Sequence, residues 1–352
     1  MNPASITESL NPINTHDLFC SITGPTPHDS SDPLVVIIPG AGDVASSYVA
    51  VERLLRPFIR TLLYDRSGLG RSKKYSPKSP SLGAKPPIHG QGQAVTAATE
   101  LGAVLENAGI NPDTLLLLLA HSYGAIVARE FLHLYPERVA GMVLVDASTE
   151  RASKYFNIPD QNIDAVMGNM SYARATGLRS QTVLSDEEWR VRAREIIASS
   201  ETAAVEAASF YEVCETLKRK DQLKSQALGN RPLSVIRANT ASEYMAVYEK
   251  GVAAGNGTEE QRAAFRSLLD KWECIDKELQ EEQLQLSSNT HFVRLEECGH
   301  NVHLVRPDVI AQEVRWVRDR VIHFPRVLVN SLLRLATLEG MLASRTMAYK
   351  TM

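Results

Sequence analysis

The stretch Leu115-Leu-Leu-Leu-Leu-Ala-His-Ser-Tyr-Gly-Ala-Ile-Val-Ala128 decides the reading of this chain. Its first six residues are a short apolar run, the pattern of a strand buried on both faces of a parallel sheet. From Tyr123 to Tyr135 apolar residues recur at helical spacing until Pro136 stops the helix, because proline lacks an amide donor and clashes with the preceding turn. Ser122 therefore lies in the turn between strand and helix, with the small residues Ala120 and Gly124 two positions to either side. Larger flanking side chains would collide with the neighbouring strand and helix. The turn leaves the serine exposed at the C-terminal edge of the sheet, beside helix amides that favour negative charge. This is the pattern of a nucleophile elbow, and it makes Ser122 the candidate nucleophile.

Outward from this segment, Leu34–Ile38 and Met142–Val145 read as further buried parallel strands, and Leu233–Arg237 and Phe292–Leu295 extend the sheet. Parallel neighbours need crossovers, and helical periodicity supplies them at Ser46–Leu55 and Ala94–Ala108. Strand and helix in alternation predict an α/β fold with a mostly parallel, doubly wound sheet. Val309–Ile322 has the spacing of an amphipathic helix. Between the strands ending at 145 and starting at 233 lie more than eighty residues of helical pattern, including a Ser185/Glu188 capping box and a long run from Thr202 to Lys224. They predict an inserted helical lid. The expected organisation is a core of residues 1–150 and 230–324, a lid at 151–229 and an amphipathic extension at 325–352. Residues 73–93 read as a surface loop and Gly251–Gly257 as a second flexible stretch. Val327–Leu342 carries apolar residues at helical spacing with a mildly basic balance. It is expected to dock on the core, with homodimer or membrane-surface contact as alternatives.

Composition narrows the class. The 352 residues, 44% hydrophobic and 22% charged, are those of a globular chain able to bury a large core. Lys and Arg total 38 against 41 Asp and Glu, a net charge of -3 with no basic stripe, so nucleic acid is not an expected partner. Met1–Asn14 has neither a basic nor an apolar leader segment, and Leu115–Ala120, the longest strongly apolar run, is too short to span a bilayer. A soluble, cytoplasmic protein is the expectation. Cys20, Cys214, Cys274 and Cys298 lie far apart, which gives neither a zinc-ligand spacing nor a disulfide framework and points to a reducing compartment. No Walker loop, dinucleotide fingerprint or H-E-x-x-H helix is present, so neither a cofactor nor a metal is expected, and the partner is a small-molecule substrate.

Several segments in their order and spacing resemble the α/β-hydrolase fold superfamily, in the serine-nucleophile branch with a helical lid. They are Ile38-Pro-Gly-Ala-Gly, Tyr64-Asp-Arg-Ser-Gly-Leu-Gly-Arg-Ser, Ala120-His-Ser-Tyr-Gly, Tyr135-Pro-Glu-Arg-Val with Leu144-Val-Asp, and Leu286-Ser-Ser-Asn-Thr-His with Cys298-Gly-His-Asn-Val-His and Arg306-Pro-Asp. The similarity spans about residues 13–322. Proline stands at 39 where the family usually has histidine, and alanine at 120 where it has glycine.

The resemblance implies roles for other residues. An acyl-transfer serine needs a base that takes its proton and returns it, which imidazole suits in both directions. His300, in a Cys-Gly-His turn after a strand, occupies the family's histidine position; His303 is the near rival, and His121 is expected to point away from Ser122. The oxyanion donors implied are the backbone amides of Ala41 and Tyr123. Asp65, Arg66, Gly68 and Gly70 match a family loop read here as a salt-bridged turn beside the site. For the acid, the family often uses the segment after strand 233–237, where this chain offers no aspartate and only Glu243 nearby. The other family position, at the end of the sixth strand, is filled by Asp146, while Asp270 and Asp276 lie in a helical stretch. Together these imply a serine hydrolase acting through an acyl-enzyme on a small-molecule ester, lactone, thioester or related bond. A lyase, isomerase or cyclase of the same fold, or a ligand-binding module, is the alternative, since fold does not fix function.

Overall fold

In a computed structural model, which describes residues 6–13, 16–27, 32–73 and 93–322, every residue of the strands Leu34–Ile38 (β3) and Leu116–His121 (β5) is buried. They form the centre of an eight-stranded sheet in the order β1-β2-β4-β3-β5-β6-β7-β8. The remaining strands are β1 (Thr7–Ile13), β2 (His16–Thr23), β4 (Arg60–Tyr64), β6 (Val139–Val145), β7 (Leu233–Arg237) and β8 (Thr290–Arg294). Strands β3 to β8 pair in parallel, and β1 and β2 add an antiparallel edge.

Because side chains alternate across a strand, the sheet divides its apolar residues between two cores. Val36, Ile38, Leu116, Leu118 and Leu144 face a core completed by the helices Gln93–Asn107 (α2) and Gly124–Leu134 (α3). Val35, Ile37, Leu117, Leu119 and Val143 face the other, completed by Val49–Leu55 (α1) and by the helix of residues 307–322 through Val314 and Val317. Each such aliphatic side chain contributes roughly 1.5–3 kcal/mol of transfer free energy, which fixes the strand register because a one-residue slip would exchange the two faces.

Between β6 and β7 the chain makes a helical excursion: α4 (Gln161–Met167), α5 (Tyr172–Thr176), α6 (Leu178–Gln181), α7 (Asp186–Ala198), α8 (Ser200–Ala208) and α9 (Phe210–Lys218). The Ser185/Glu188 capping box opens α7 as read from sequence. The run expected from Thr202 to Lys224 is broken at Ser209, whose hydroxyl donates to the Glu206 carbonyl and so competes with helix propagation. A second excursion between β7 and β8 contains α10 (Thr240–Ala253) and α11 (Glu259–Glu282). Phe265, Leu269 and Trp272 of α11 and Val247 of α10 share one apolar cluster with Val166 of α4 and Ala175 of α5, so the two excursions pack on each other. The expected flexible stretch at Gly251–Gly257 is instead the last turn of α10 and a tight connection to α11. Gly251 is buried inside α10, where a Cβ would lie 2.1 Å from the Val166 carbonyl oxygen. The short helix Val302–Val305 (α12) precedes the helix of residues 307–322. The predicted extension at 325–352 and most of the loop at 73–93 lie outside the described residues.

Candidate active site

Four chain segments leave the C-terminal ends of neighbouring parallel strands and meet above the sheet. β3 runs into Pro39-Gly40-Ala41-Gly42, β5 into Ser122, β6 into Asp146, and β8 into the turn that carries His300. Ser122 has φ of +52°, the left-handed region that costs a non-glycine residue about 1–3 kcal/mol. The turn is held by Ser122 N–H donating to the Val145 carbonyl at 3.1 Å and by Ser148 N–H donating to the Ser122 carbonyl at 3.0 Å. The need for a small residue at 124 is direct, since a Cβ there would sit 2.3 Å from the Ile38 carbonyl oxygen. At Gly40 a Cβ would come 3.3 Å from Ser122 Cβ, so the β3 turn abuts the serine.

Asp146 also adopts a left-handed conformation, with φ of +39°, at the end of β6. Its Oδ1 accepts from Ala238 N–H at 3.0 Å, and its Oδ2 accepts from the Thr240 hydroxyl at 2.7 Å and lies 2.6 Å from His300 Nδ1. Burial pushes the carboxyl pKa up, but the His300 hydrogen bond and charge, with Thr240 and Ala238, outweigh it and hold it below the ordinary aspartate value. For His300 burial acts downward, and the Asp146 hydrogen bond and charge, with Glu243 and Asp276, raise it above 6.5. With Nδ1–H committed to Asp146, the lone pair of a neutral His300 is at Nε2. Glu243 sits beneath the same turn. It accepts from His300 N–H at 2.7 Å and from the Tyr172 hydroxyl at 2.8 Å, so close that a Cβ on Gly299 would fall 1.9 Å from its Cδ.

The other acids go elsewhere. Asp276 is paired with Arg237, Nε to Oδ2 at 2.7 Å, and Asp270 is exposed and paired with Arg266. Among the described residues no hydrogen bond joins Ser122 Oγ to His300, and neither Ala41 N–H nor Tyr123 N–H donates to a protein acceptor. Long serine–histidine separations are ordinary before substrate binds. A cavity of about 300 Å³ lined by Pro25, Leu34, Arg60 and Arg318 opens by the opposite ends of β3 and β4, and none of the residues above lines it.

The sequence matches the model of the alpha/beta hydrolase family over residues 35–313, well over half of its length. The chain belongs to the alpha/beta hydrolase family. Among curated proteins this hydrolase is 27% identical over 324 residues to an AB hydrolase superfamily protein of Gibberella zeae, covering 89% of this chain and 94% of the relative. It is 27% identical over 316 residues to a protein of Hormonema carpetanum named "Probable transporter efuK", covering 88% of this chain but 42% of that much longer protein. The solved esterase RhEst1 from a Rhodococcus species shares the fold with a TM-score of 0.53 at 17% identity, over 90% of this chain and 99% of that one. Solved neighbours of this fold include esterases, epoxide hydrolases and lipases.

The hydrolase also holds buried histidines behind the serine. His121 does not bond Ser122. Its Nε2 lies 2.9 Å from the His300 carbonyl oxygen and its Nδ1 2.9 Å from the Tyr48 hydroxyl, which accepts from Gly40 N–H at 3.0 Å. The carbonyl fixes the tautomer with the proton on Nε2, and a continuous chain of hydrogen bonds then ties the Gly40 turn to the His300 turn. His303 is fully buried, stacks on Tyr48 at 4.3 Å between ring centroids, and places Nε2 3.2 Å from Asp43 Oδ2. The ligand atoms of Asp43, His121 and His303 lie within 4.8 Å of one another, a set chemically able to hold a cation. Both His121 nitrogens are engaged by Tyr48 and His300, and Asp43 is engaged by Ser47, Val44 N–H and His303. His121 and Asp43 are thus held by protein partners, while His303 approaches only Asp43 and its Nδ1 has no hydrogen-bond partner among the described residues. The sequence assigned Tyr48 and Thr240 no place near His300 and noted Glu243 only as an acid near the strand end, because Tyr48 reaches His300 through His121, Thr240 through Asp146, and Glu243 through the His300 amide, all contacts made by long-range packing. The turn Asn239-Thr-Ala-Ser, with a cap residue leading into a helix, is the signal that could have pointed to Thr240.

Proposed function

We propose that this protein is a serine hydrolase that opens a small-molecule ester, lactone, thioester or related bond through an acyl-enzyme on Ser122. The observation that carries the reading is the 2.6 Å contact between Asp146 and His300 at strand ends adjoining the elbow that bears Ser122 in its left-handed conformation. In the proposed reaction His300 Nε2 takes the Ser122 hydroxyl proton as Oγ attacks the substrate carbonyl. The Asp146 carboxylate holds the imidazole tautomer and stabilises the imidazolium. The negative oxygen of the tetrahedral intermediate is received by Ala41 N–H and Tyr123 N–H, the latter at the start of α3, where the helix dipole adds to the donor. His300 then gives its proton to the leaving oxygen or sulfur. A water, deprotonated in turn by His300, attacks the acyl carbon, and His300 gives that proton to the departing Ser122 Oγ, which releases the acid and restores the free serine.

A serine at 122 favours acyl transfer over the alkyl-enzyme route to epoxides, in which a carboxylate attacks carbon. Residues 151–229 are assigned as a lid over the core of 1–150 and 230–324, with α10 and α11 buttressing α4 and α5 from behind. No described helix is long and apolar enough to cross a membrane.

Fluorophosphonate labelling followed by peptide mapping tests the nucleophile, with Ser122→Ala as its partner experiment. Label on Ser122, and a fall of at least about 10³-fold in p-nitrophenyl acetate turnover in folded Ser122→Ala, are expected. Wild-type rates in that variant would end the serine-hydrolase reading in favour of non-covalent chemistry.

A further inference from the structure

We infer that Arg66 and Glu206 are positioning residues through which the lid itself sets the oxyanion-binding geometry, so that seating helix α8 and aligning the Ala41 and Tyr123 amides are one event. This rests on the serine-hydrolase reading above and names how its site is controlled.

Arg66, two residues beyond β4, is buried with four of its five N–H donors in use. Nη1 donates to the Pro39 carbonyl and Nη2 to the Gly40 carbonyl, both at 2.6 Å, which grips the two peptides just before Ala41. The Nε and Nη2 donors meet Glu206 Oε1 and Oε2 at 2.7 and 2.8 Å, the bidentate geometry of guanidinium and carboxylate. Glu206 Oε2 also accepts from Gly42 N–H at 2.7 Å, on the far side of Ala41. The Arg66 guanidinium carbon lies 5.3 Å from the centre of the Tyr123 ring, so the same ion pair holds the Gly40–Ala41 peptide through its carbonyl and lies over the side chain of the residue that carries the other proposed oxyanion donor. The salt-bridged turn expected at Asp65 and Arg66 therefore exists, but Arg66 pairs with the lid. Asp65 instead accepts Ala45 N–H and Arg71 N–H.

Helix α8 presents one face to this region. Ser199, Ala203 and Glu206 follow each other by four and three residues, the spacing of a single helix face. Ser199 Oγ accepts from Gly70 N–H at 2.9 Å, Ala203 packs so closely that a Cβ on Gly42 would lie 2.5 Å from its own, and Glu206 makes the bonds above. Gly42 has φ of +62°, so the turn needs glycine for both backbone and space. Side-chain exposure of 2% for Arg66 and 7% for Glu206 makes this a buried ion pair. Such pairs return little net stability against apolar replacements of similar size, but they fix geometry by satisfying several donors at once. Five of the groups that pair here belong to the Pro39–Gly42 turn or to the lid: the Pro39 and Gly40 carbonyls, Gly42 N–H and both Glu206 carboxylate oxygens. Withdrawing α8 removes the acceptor of Gly42 N–H and the counter-ion of Arg66 together.

The test uses the full chain. Wild type, Glu206→Gln and the double replacement Arg66→Met/Glu206→Met, which leaves no lone buried charge, are compared with Arg53→Ala. Arg53 makes a separate, exposed ion pair with Glu188 of α7, a core–lid contact that involves neither α8 nor the Pro39–Gly42 turn. For each folded variant kcat and KM for p-nitrophenyl acetate are measured, with the inhibition constant of an aryl trifluoromethyl ketone, whose adduct with a serine carries an oxyanion. Positioning predicts that both replacements lower kcat by about 10- to 100-fold, leave KM within about threefold, and weaken the ketone by the same factor as kcat, while Arg53→Ala changes none of these. Wild-type kcat and ketone affinity in either folded clamp variant, or an equal kcat loss in Arg53→Ala, would overturn the inference. If Glu206→Gln does not fold, the double replacement decides. Fluorophosphonate labelling of wild type separates the two failures. A labelled Ser122 with unaffected clamp variants sinks the clamp alone, and an unlabelled wild type sinks the serine reading and the clamp with it.

Discussion

His300 carries the sharpest prediction at the scale of single residues, because its protonation state follows from its neighbours. Burial alone would lower its pKa, yet Asp146 raises it above 6.5. A base is useless when protonated, so kcat/KM is expected to fall as pH drops through a value above 6.5. Asp146→Asn removes the main raising partner and leaves burial opposed only by the more weakly acting Glu243 and Asp276, so the acidic limb of the residual activity should move below that value while turnover drops by about 10²- to 10⁴-fold. Asp270→Asn should change neither. A pH–rate profile of the three proteins checks this, and an unmoved limb in Asp146→Asn would show that another acid sets His300. The positions of Ser122, Asp146 and His300 were legible because each follows a strand whose residues announce it, and strand ends in a parallel sheet gather at one edge. Thr240, Glu243 and Tyr48 were not, since a hydroxyl or carboxylate in a helix reads as a solvated face until packing shows what lies above it. The Arg66 partner was missed for the same reason: Glu206 lies 140 residues further along the chain.

Helices and strands differ in how far their own residues specify them. Continuous apolar runs made β3 and β5 readable to within a residue, and β7 was read at its observed bounds although Ser234 and Arg237 interrupt its apolar residues. Strands β1, β2 and β4 were not anticipated. β4 has five residues and opens on an arginine, and β2 reads His-Asp-Leu-Phe-Cys-Ser-Ile-Thr, whose buried Ser21 and Thr23 break both alternation and continuity. Their strand character comes from pairing, which carries a local sequence only when a central strand is beside it. Gly251 gives an element-scale prediction. A glycine inside an ordinary helix is improved by alanine, by about 0.5–1 kcal/mol. Here the added Cβ would meet the Val166 carbonyl of α4 at 2.1 Å, so Gly251→Ala should instead destabilise by about 1–3 kcal/mol as α10 is pushed from α4. Urea unfolding decides the sign, and a stabilised variant would mean that the α4–α10 contact yields without cost.

Across the whole molecule, the fold class and sheet direction followed from the alternation of strands and crossovers, but the union of the two excursions did not. The Phe265, Leu269 and Trp272 side chains that receive α4 and α5 sit about a hundred residues from them in sequence. Replacing residues 151–228 by a short linker should therefore do two things. Selectivity between short and bulky esters should collapse as the outer wall of the pocket is lost, and the bared α10–α11 face should bind a hydrophobic dye that the intact protein excludes. Unchanged ester ratios would show that the excursion does not shape the substrate site. The separation that joins Asp146 to His300 has a further consequence, one of timing. These residues touch at 2.6 Å across 154 residues of chain. At about 5–20 residues per second, translation needs roughly 8 to 30 s to pass from one to the other. Through that interval the nascent chain already carries Ser122 and the Asp146 carboxylate, while the Ala238 amide, the Thr240 hydroxyl and the His300 imidazole that will enclose the carboxylate have still to be made. On the proposed mechanism, synthesis thus delivers Ser122 long before His300, and a half-made chain is expected to be inert by the order in which its residues arrive.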